Sequence, residues 1–149
     1  MKMSPELRKA QANMQPGVIS AAGFLGDERR PLVDIIEADE ETMQALGLTF
    51  EEIAERMNYF LDQGRKGLGE PITVDEHWLV TVQESRGHMP SPFEDGISRK
   101  INATVTRADR GVTVTYSRLS IDLLEKHHFL QGKGSPFRLD PALLKSVLF

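Results

Sequence analysis

Six basic side chains in the second half of the chain have the type and spacing to hold an anion. Arg86, His88, Arg99 and Lys100 lie in the stretch SRGHMPSPFEDGISRK (residues 85–100), and Lys133 and Arg138 bracket the turn GKGSPF (132–137). Guanidinium, ammonium and imidazolium groups that converge on a phosphate or carboxylate make charge-assisted hydrogen bonds, stronger than neutral ones. If the second segment folds back toward the first, the six share one site, with Trp78 and Phe93 as an apolar wall. The ligand implied is a small anionic molecule.

Other chemistries find less support. Histidine is scarce: His77, His88, His127 and His128. Neutral imidazole with Asp75, Glu76, Glu84 or Asp95 is a conceivable metal set, but no HExxH or similar helical pair is present, and no residues are assigned to a metal. His127 and His128 are adjacent, so a regular helix points them in different directions. The absence of cysteine excludes disulfides, thiolate metal sites and cysteine catalysis. No GxSxG elbow occurs, and Ser85, Ser91 and Ser135 read as turn formers. GRKGLGE (64–70) and QGKGS (131–135) mix glycine with lysine but lack the spacing of a phosphate-binding P-loop. No cofactor is assigned. The enzymatic alternative is a pocket under residues 85–98 that uses His88 and a carboxylate, the pair Glu94–Asp95 being one source of acid–base groups.

Composition sets the frame. A chain of 149 residues, 40% hydrophobic and 27% charged, fits one domain spanning residues 1–149 with a real core. No apolar run is long enough for a bilayer, and MKMSPELRKAQANM lacks the apolar core of a signal peptide, so a cytoplasmic protein is expected. The net charge of −4 conceals a split. Residues 27–62 hold eleven acidic and three basic side chains, whereas residues 96–149 hold nine basic and four acidic ones. Such asymmetry favours self-association or an anionic partner for the basic half.

The elements that must position these groups follow from periodicity. PITVDEHWLVTVQ (71–83) alternates Ile72, Val74, Trp78, Val80 and Val82 against Thr73, Asp75, Leu79 and Thr81, which predicts a strand with a bend at Asp75–Glu76. Residues 101–107 and 112–117 alternate likewise, joined by the turn Ala-Asp-Arg-Gly. Matching apolar faces places Val105 opposite Val114 and Ala103 opposite Tyr116. Residues 85–98 show no period and read as a long loop, a kind of connection that is often functional.

Helices are predicted from Ser4-Pro5 to about Met14, from Pro31 to Leu46, and from Thr49 to about Gly64. The third opens with a Thr49/Glu52 capping box. Two more follow the strands: one capped by Ser120 and running to about Phe129, and one starting at Asp140-Pro141. Residues 18–26 have no clear period.

LGLTFEEIAERM (46–57) resembles the opening of a helix-turn-helix DNA-binding unit, with Ala54 inside the first helix and Asn58 where that unit turns. The resemblance covers about a dozen residues. The recognition helix it implies runs through Asp62, Gly64 and Gly67 in an acidic region, whereas DNA binding needs neutralisation of phosphates. Nucleic acid is therefore not the expected partner, and a DNA-binding regulator is the third reading.

The fold expected is α+β: three N-terminal helices, a three-stranded antiparallel meander and two C-terminal helices, with the helices on the face carrying Val74, Trp78, Val80, Val82, Ala103, Val105, Val112, Val114 and Tyr116. The function expected first is that of a small cytoplasmic binding or interaction protein, self-associating, that takes an anionic ligand on its basic loop residues.

Overall fold

The computed structural model describes residues 2–149. Helices α1 (Pro5–Asn13), α2 (Leu32–Ala45) and α3 (Phe50–Arg65) precede strands β1 (Ile72–Val74), β2 (Trp78–Pro90), β3 (Ile97–Arg107) and β4 (Val112–Ser117), and α4 (Arg118–His127) and α5 (Pro141–Leu148) follow. The sheet is an antiparallel meander in the order β1-β2-β3-β4. No helix among the described residues is long and apolar enough to cross a membrane.

The sheet has four strands, not the three expected from periodicity. The first expected strand divides at Asp75–His77 into β1 and β2, which pair as a hairpin with Val74 opposite Trp78. Asp75 and Glu76 take positive φ values of 47° and 67°. The expected bend is thus a full reversal, made without glycine, in a left-handed conformation that aspartate tolerates better than most side chains. Val74 and Trp78 both face the helices because they are cross-strand partners, so the turn leaves the alternation unbroken.

The expected loop 85–98 is also different. β2 runs to Pro90 and β3 begins at Ile97, so only residues 91–96 form the connection. Ladder pairing resumes at His88↔Arg99, Met89↔Ser98 and Pro90↔Ile97 after an irregularity between Glu84 and His88. Three residues of β2 there face one of β3, and the bulge bends the strand.

The expected register between β3 and β4 is observed: Val105 pairs with Val114 and Ala103 with Tyr116. One sheet face is buried under α3, α4 and α5, with Val80, Val82, Ala103, Val105, Val114 and Tyr116 inaccessible or nearly so. Val112, placed in this set by its alternation, is only partly buried at the strand end. Each large apolar side chain so buried contributes about 1.5–3 kcal/mol. The other face is wet and threonine-rich, with hydroxyl contacts between Thr106 and Thr113 (2.9 Å) and between Thr104 and Thr115 (3.4 Å).

A second apolar cluster joins α1, α2 and α4 through Met14, Leu32, Ile35, Leu119, Leu123 and Phe129. The helix starts are read from side-chain chemistry. Ser4 accepts from Leu7 N, and Asp140 accepts from Leu143 N. Thr49 and Glu52 form the reciprocal capping box. For α4 the cap is Ser117, not Ser120: Ser120 sits at the third helical position and completes a box with Ser117. That helix therefore starts three residues earlier than expected and ends at His128, in a left-handed conformation.

Candidate functional site

The β2–β3 ladder continues past the end of β4 as an arm. Its bulge sets Ser85, Arg86 and Gly87 opposite Lys100, and Gly87 takes a φ of 95°, a conformation glycine adopts without steric cost. The tip is docked onto two helices. Asn13 donates to the Pro92 carbonyl (2.9 Å) and Lys9 pairs with Glu94 (3.2 Å). From α4, His127 Nε2 meets Asp95 Oδ2 at 2.7 Å, and its ring stacks on Phe93 at 3.8 Å between centroids. Burial pushes the Asp95 carboxyl up, but the bonds from His127 and Ser91 outweigh it and hold the group below the usual carboxylate range.

Opposite the arm lies the segment 128–139, folded back on residues 24–27. Gly132 N donates to Phe24 O (2.9 Å), Asp27 N donates to Lys133 O (2.8 Å), and Leu139 N closes the segment on Leu130 O (3.0 Å). The approach is close: a Cβ on Gly132 would lie 1.9 Å from the Leu25 carbonyl oxygen. This contact explains the glycine in QGKGS without a phosphate.

Between arm and segment is a cleft of about 210 Å³. Phe24 and Leu119 are its most buried apolar walls, and Met89 and Phe137 are partly buried. Arg99, Lys100, Ser85 and Asn102 are exposed and define the mouth, whereas the buried Gln131 lies at the floor. No carboxylate lines it. Arg99 and Lys100 make no side-chain hydrogen bond or salt bridge among the described residues. Three larger grooves, of about 680, 550 and 400 Å³, have carboxylates in their walls, Glu28 lining the last. Asp62 and Asp122 line the first, which Arg99 also borders. Glu84 lines the second, paired with Arg65 at 2.8 Å.

The six basic residues do not converge as one set. Arg99 and Lys100 reach the cleft. Arg86 and His88 are exposed on the arm and line none of the cavities described here, and no carboxylate pairs with His88. Lys133 and Arg138 lie on the other side of the folded-back segment, in a small pocket with Glu28, Arg30, Asp39 and Asp140. There the Arg30 hydrogen bond holds the Glu28 carboxyl below its ordinary range. Arg138 is engaged by Asp39 at 2.7 and 2.9 Å. The expected apolar wall is elsewhere too. Trp78 is in the core, donating to Val147 O at 2.7 Å, and Phe93 stacks on His127.

Among the described residues no three of the conceivable metal ligands come together, and several are engaged separately. Asp75 accepts from Tyr59, Glu84 from Arg65, and Asp95 from His127. His128 turns away from His127, as adjacency requires, to meet Glu40 at 2.6 Å and stack on Phe50. The residue expected at the turn of a helix-turn-helix unit, Asn58, lies inside the continuous α3. The cleft residues that sequence reasoning missed are Phe24, Leu119, Gln131 and Phe137. For Phe24, Gln131 and Phe137 only the density of glycine and proline nearby signals a specific chain path, and nothing local pairs residues 24 and 131.

No protein-family model, curated protein or solved structure matches this chain significantly.

Proposed function

We propose that this is a cytoplasmic binding protein that takes a small anionic molecule in the cleft between the β2–β3 arm and the 128–139 segment. One observation carries the reading: Arg99 and Lys100, without internal partners, stand at the mouth of an apolar cleft that no carboxylate lines. In a chain of net charge −4, that is a local field of the opposite sign. Apolar walls exclude water and strengthen a charge-assisted bond to a carboxylate or phosphate.

Native mass spectrometry of the purified protein tests it, with wild type beside the Arg99→Gln/Lys100→Gln double variant. The expected result is a retained small mass in the wild type and its loss in the variant. Each charge-assisted bond contributes about 1.5–3 kcal/mol, so losing both cations weakens binding by at least about a hundredfold. Equal retention in both proteins, or bare protein in both after incubation with cell extract, overturns the reading.

Self-association is a second reading, supported by a different feature. β1 pairs with β2 only as far as Val80, so the edge of β2 beyond it meets no strand. Leu68 beside this edge is 92% exposed. An unpaired edge is a template for another strand. The same spectra report the assembly mass: a dimer lost on Gln83→Pro supports this reading, and a monomer at every concentration removes it.

A further inference from the structure

Gln131 is the most unusual residue of the cleft. It is 5% exposed and takes a φ of 66°, a left-handed conformation that side chains other than glycine, asparagine and aspartate rarely adopt. Both halves of the residue are held. Arg138 Nη1 donates to its backbone carbonyl at 2.9 Å, and Ser135 Oγ donates to its amide oxygen at 2.7 Å. The amide nitrogen has no hydrogen-bond partner among the described residues. The nitrogen is not sealed in the core but keeps access to solvent in the cleft. A strained, doubly anchored glutamine whose NH₂ is left without a partner at the floor of a cleft is a preorganised donor for a ligand atom.

Size and wall chemistry narrow that ligand. An apolar cavity of about 150 Å³ accommodates benzene, and this cleft of about 210 Å³ leaves room beyond a ring for one small group at each end. Phe24 and Phe137 offer ring faces or edges, and the Met89 thioether favours an aromatic neighbour. At the mouth, Arg99 and Lys100 select a negative charge. At the floor, the Gln131 NH₂ selects an oxygen acceptor.

The geometry points to a single-ring carboxylic acid with an oxygen acceptor opposite its carboxylate as the ligand of this cleft. The assignment rests on the binding reading above and makes it specific: carboxylate outward, ring between the apolar walls, acceptor on Gln131.

The test is an NMR titration of the full-length ¹⁵N-labelled protein with four probes: 4-hydroxybenzoate, its methyl ester, benzoate and inorganic phosphate. The expected result is saturable shifts of the Gln131 side-chain amide and of the Phe24 and Leu119 backbone amides with 4-hydroxybenzoate. The ester, which lacks the charge, binds about tenfold or more weakly. Benzoate, which lacks the acceptor, binds about threefold to tenfold more weakly. Gln131→Met removes the amide donor at similar side-chain size, and it abolishes the advantage of 4-hydroxybenzoate over benzoate. If that variant melts early, the wild-type probe series carries the test alone. Phosphate or benzoate binding as tightly as 4-hydroxybenzoate overturns the ligand class and leaves anion binding in the cleft standing, whereas the ester binding as tightly overturns both. No cleft shifts with any probe also overturns the ligand class, while the mass-spectrometric comparison decides the broader reading independently.

Discussion

Arg138 grips Asp39 with two hydrogen bonds, 2.7 and 2.9 Å long, across 99 residues of chain. The side chains are only 13% and 10% exposed, so the pair ties α2 to the segment that forms the cleft floor from a largely desolvated position. Removing one partner of such a pair leaves the other charge without compensation. Arg138→Met is expected to destabilise the protein by about 3–5 kcal/mol. Asp39→Leu/Arg138→Met is expected to recover part of that loss. Urea unfolding followed by fluorescence of Trp78, the one tryptophan in the chain, measures both.

Gly64 in α3 faces the sheet so closely that a Cβ would lie 2.5 Å from Val82 Cγ2 and 2.6 Å from Val80 Cγ1. Alanine gains about 1 kcal/mol in helix propensity over glycine. Valine side chains are stiff, however, and the helix must move to admit the methyl group. Overpacking of this kind costs about 1–3 kcal/mol. Gly64→Ala is therefore expected to lower stability despite the propensity gain, and a rise in midpoint by urea unfolding contradicts the packing described.

Asp95 provides the pH dependence. Its carboxyl is held low in the folded protein by His127 and Ser91 against the opposing effect of burial. A depressed carboxyl stabilises the fold above its unfolded pKa, about 3.9, and that contribution is lost as pH falls through the folded value. Asp95→Asn is expected to be less stable than wild type at pH 6, with the gap closing below about pH 4. A gap unchanged from pH 6 to pH 2.5 shows that the pair is not linked to folding.

Tyr116, on the edge strand β4, is fully buried against α3, and its hydroxyl donates to Met57 O at 2.7 Å. Burial pushes the phenol up, so it stays protonated and continues to donate in neutral and mildly alkaline solution. Tyr116→Phe removes the bond between β4 and α3 with little change of shape. A loss of about 1–2 kcal/mol in unfolding free energy is expected.

Much of the sheet was legible because one face is dry. Alternation placed β3 against β4 and named the core residues, since a slip of one residue would expose every valine. The turn at Asp75–His77 escaped for a parity reason: three turn residues keep Val74 and Trp78 in phase, so a reversal and a straight strand give the same pattern. The arm escaped because its residues pack on helices only near the tip and have no continuous dry face to impose a period of two. The start of α4 was misplaced because Ser117 and Ser120, three residues apart, both have capping chemistry.

For the site, composition found the cations but not their grouping. Arg99 and Lys100 are separated from Lys133 and Arg138 by the folded-back segment, whose path depends on backbone bonds from Gly132 to Phe24 and from Asp27 to Lys133. Such long-range main-chain pairings leave little trace in residue type. Gln131 itself sits in a run of turn-forming residues, and its burial follows only from that path.

In mechanical terms, the arm is a beam supported at both ends. One end is clamped in the sheet at Ile101–Arg107, and the other rests on α1 and α4 through Asn13, Lys9 and His127. The cleft lies along the span between these supports, so its width depends on tip anchors that do not line it. Loosening the Phe93–His127 stack is expected to widen the gap between Met89 and Phe24 without altering either side chain, so the cleft's shape depends on residues outside it.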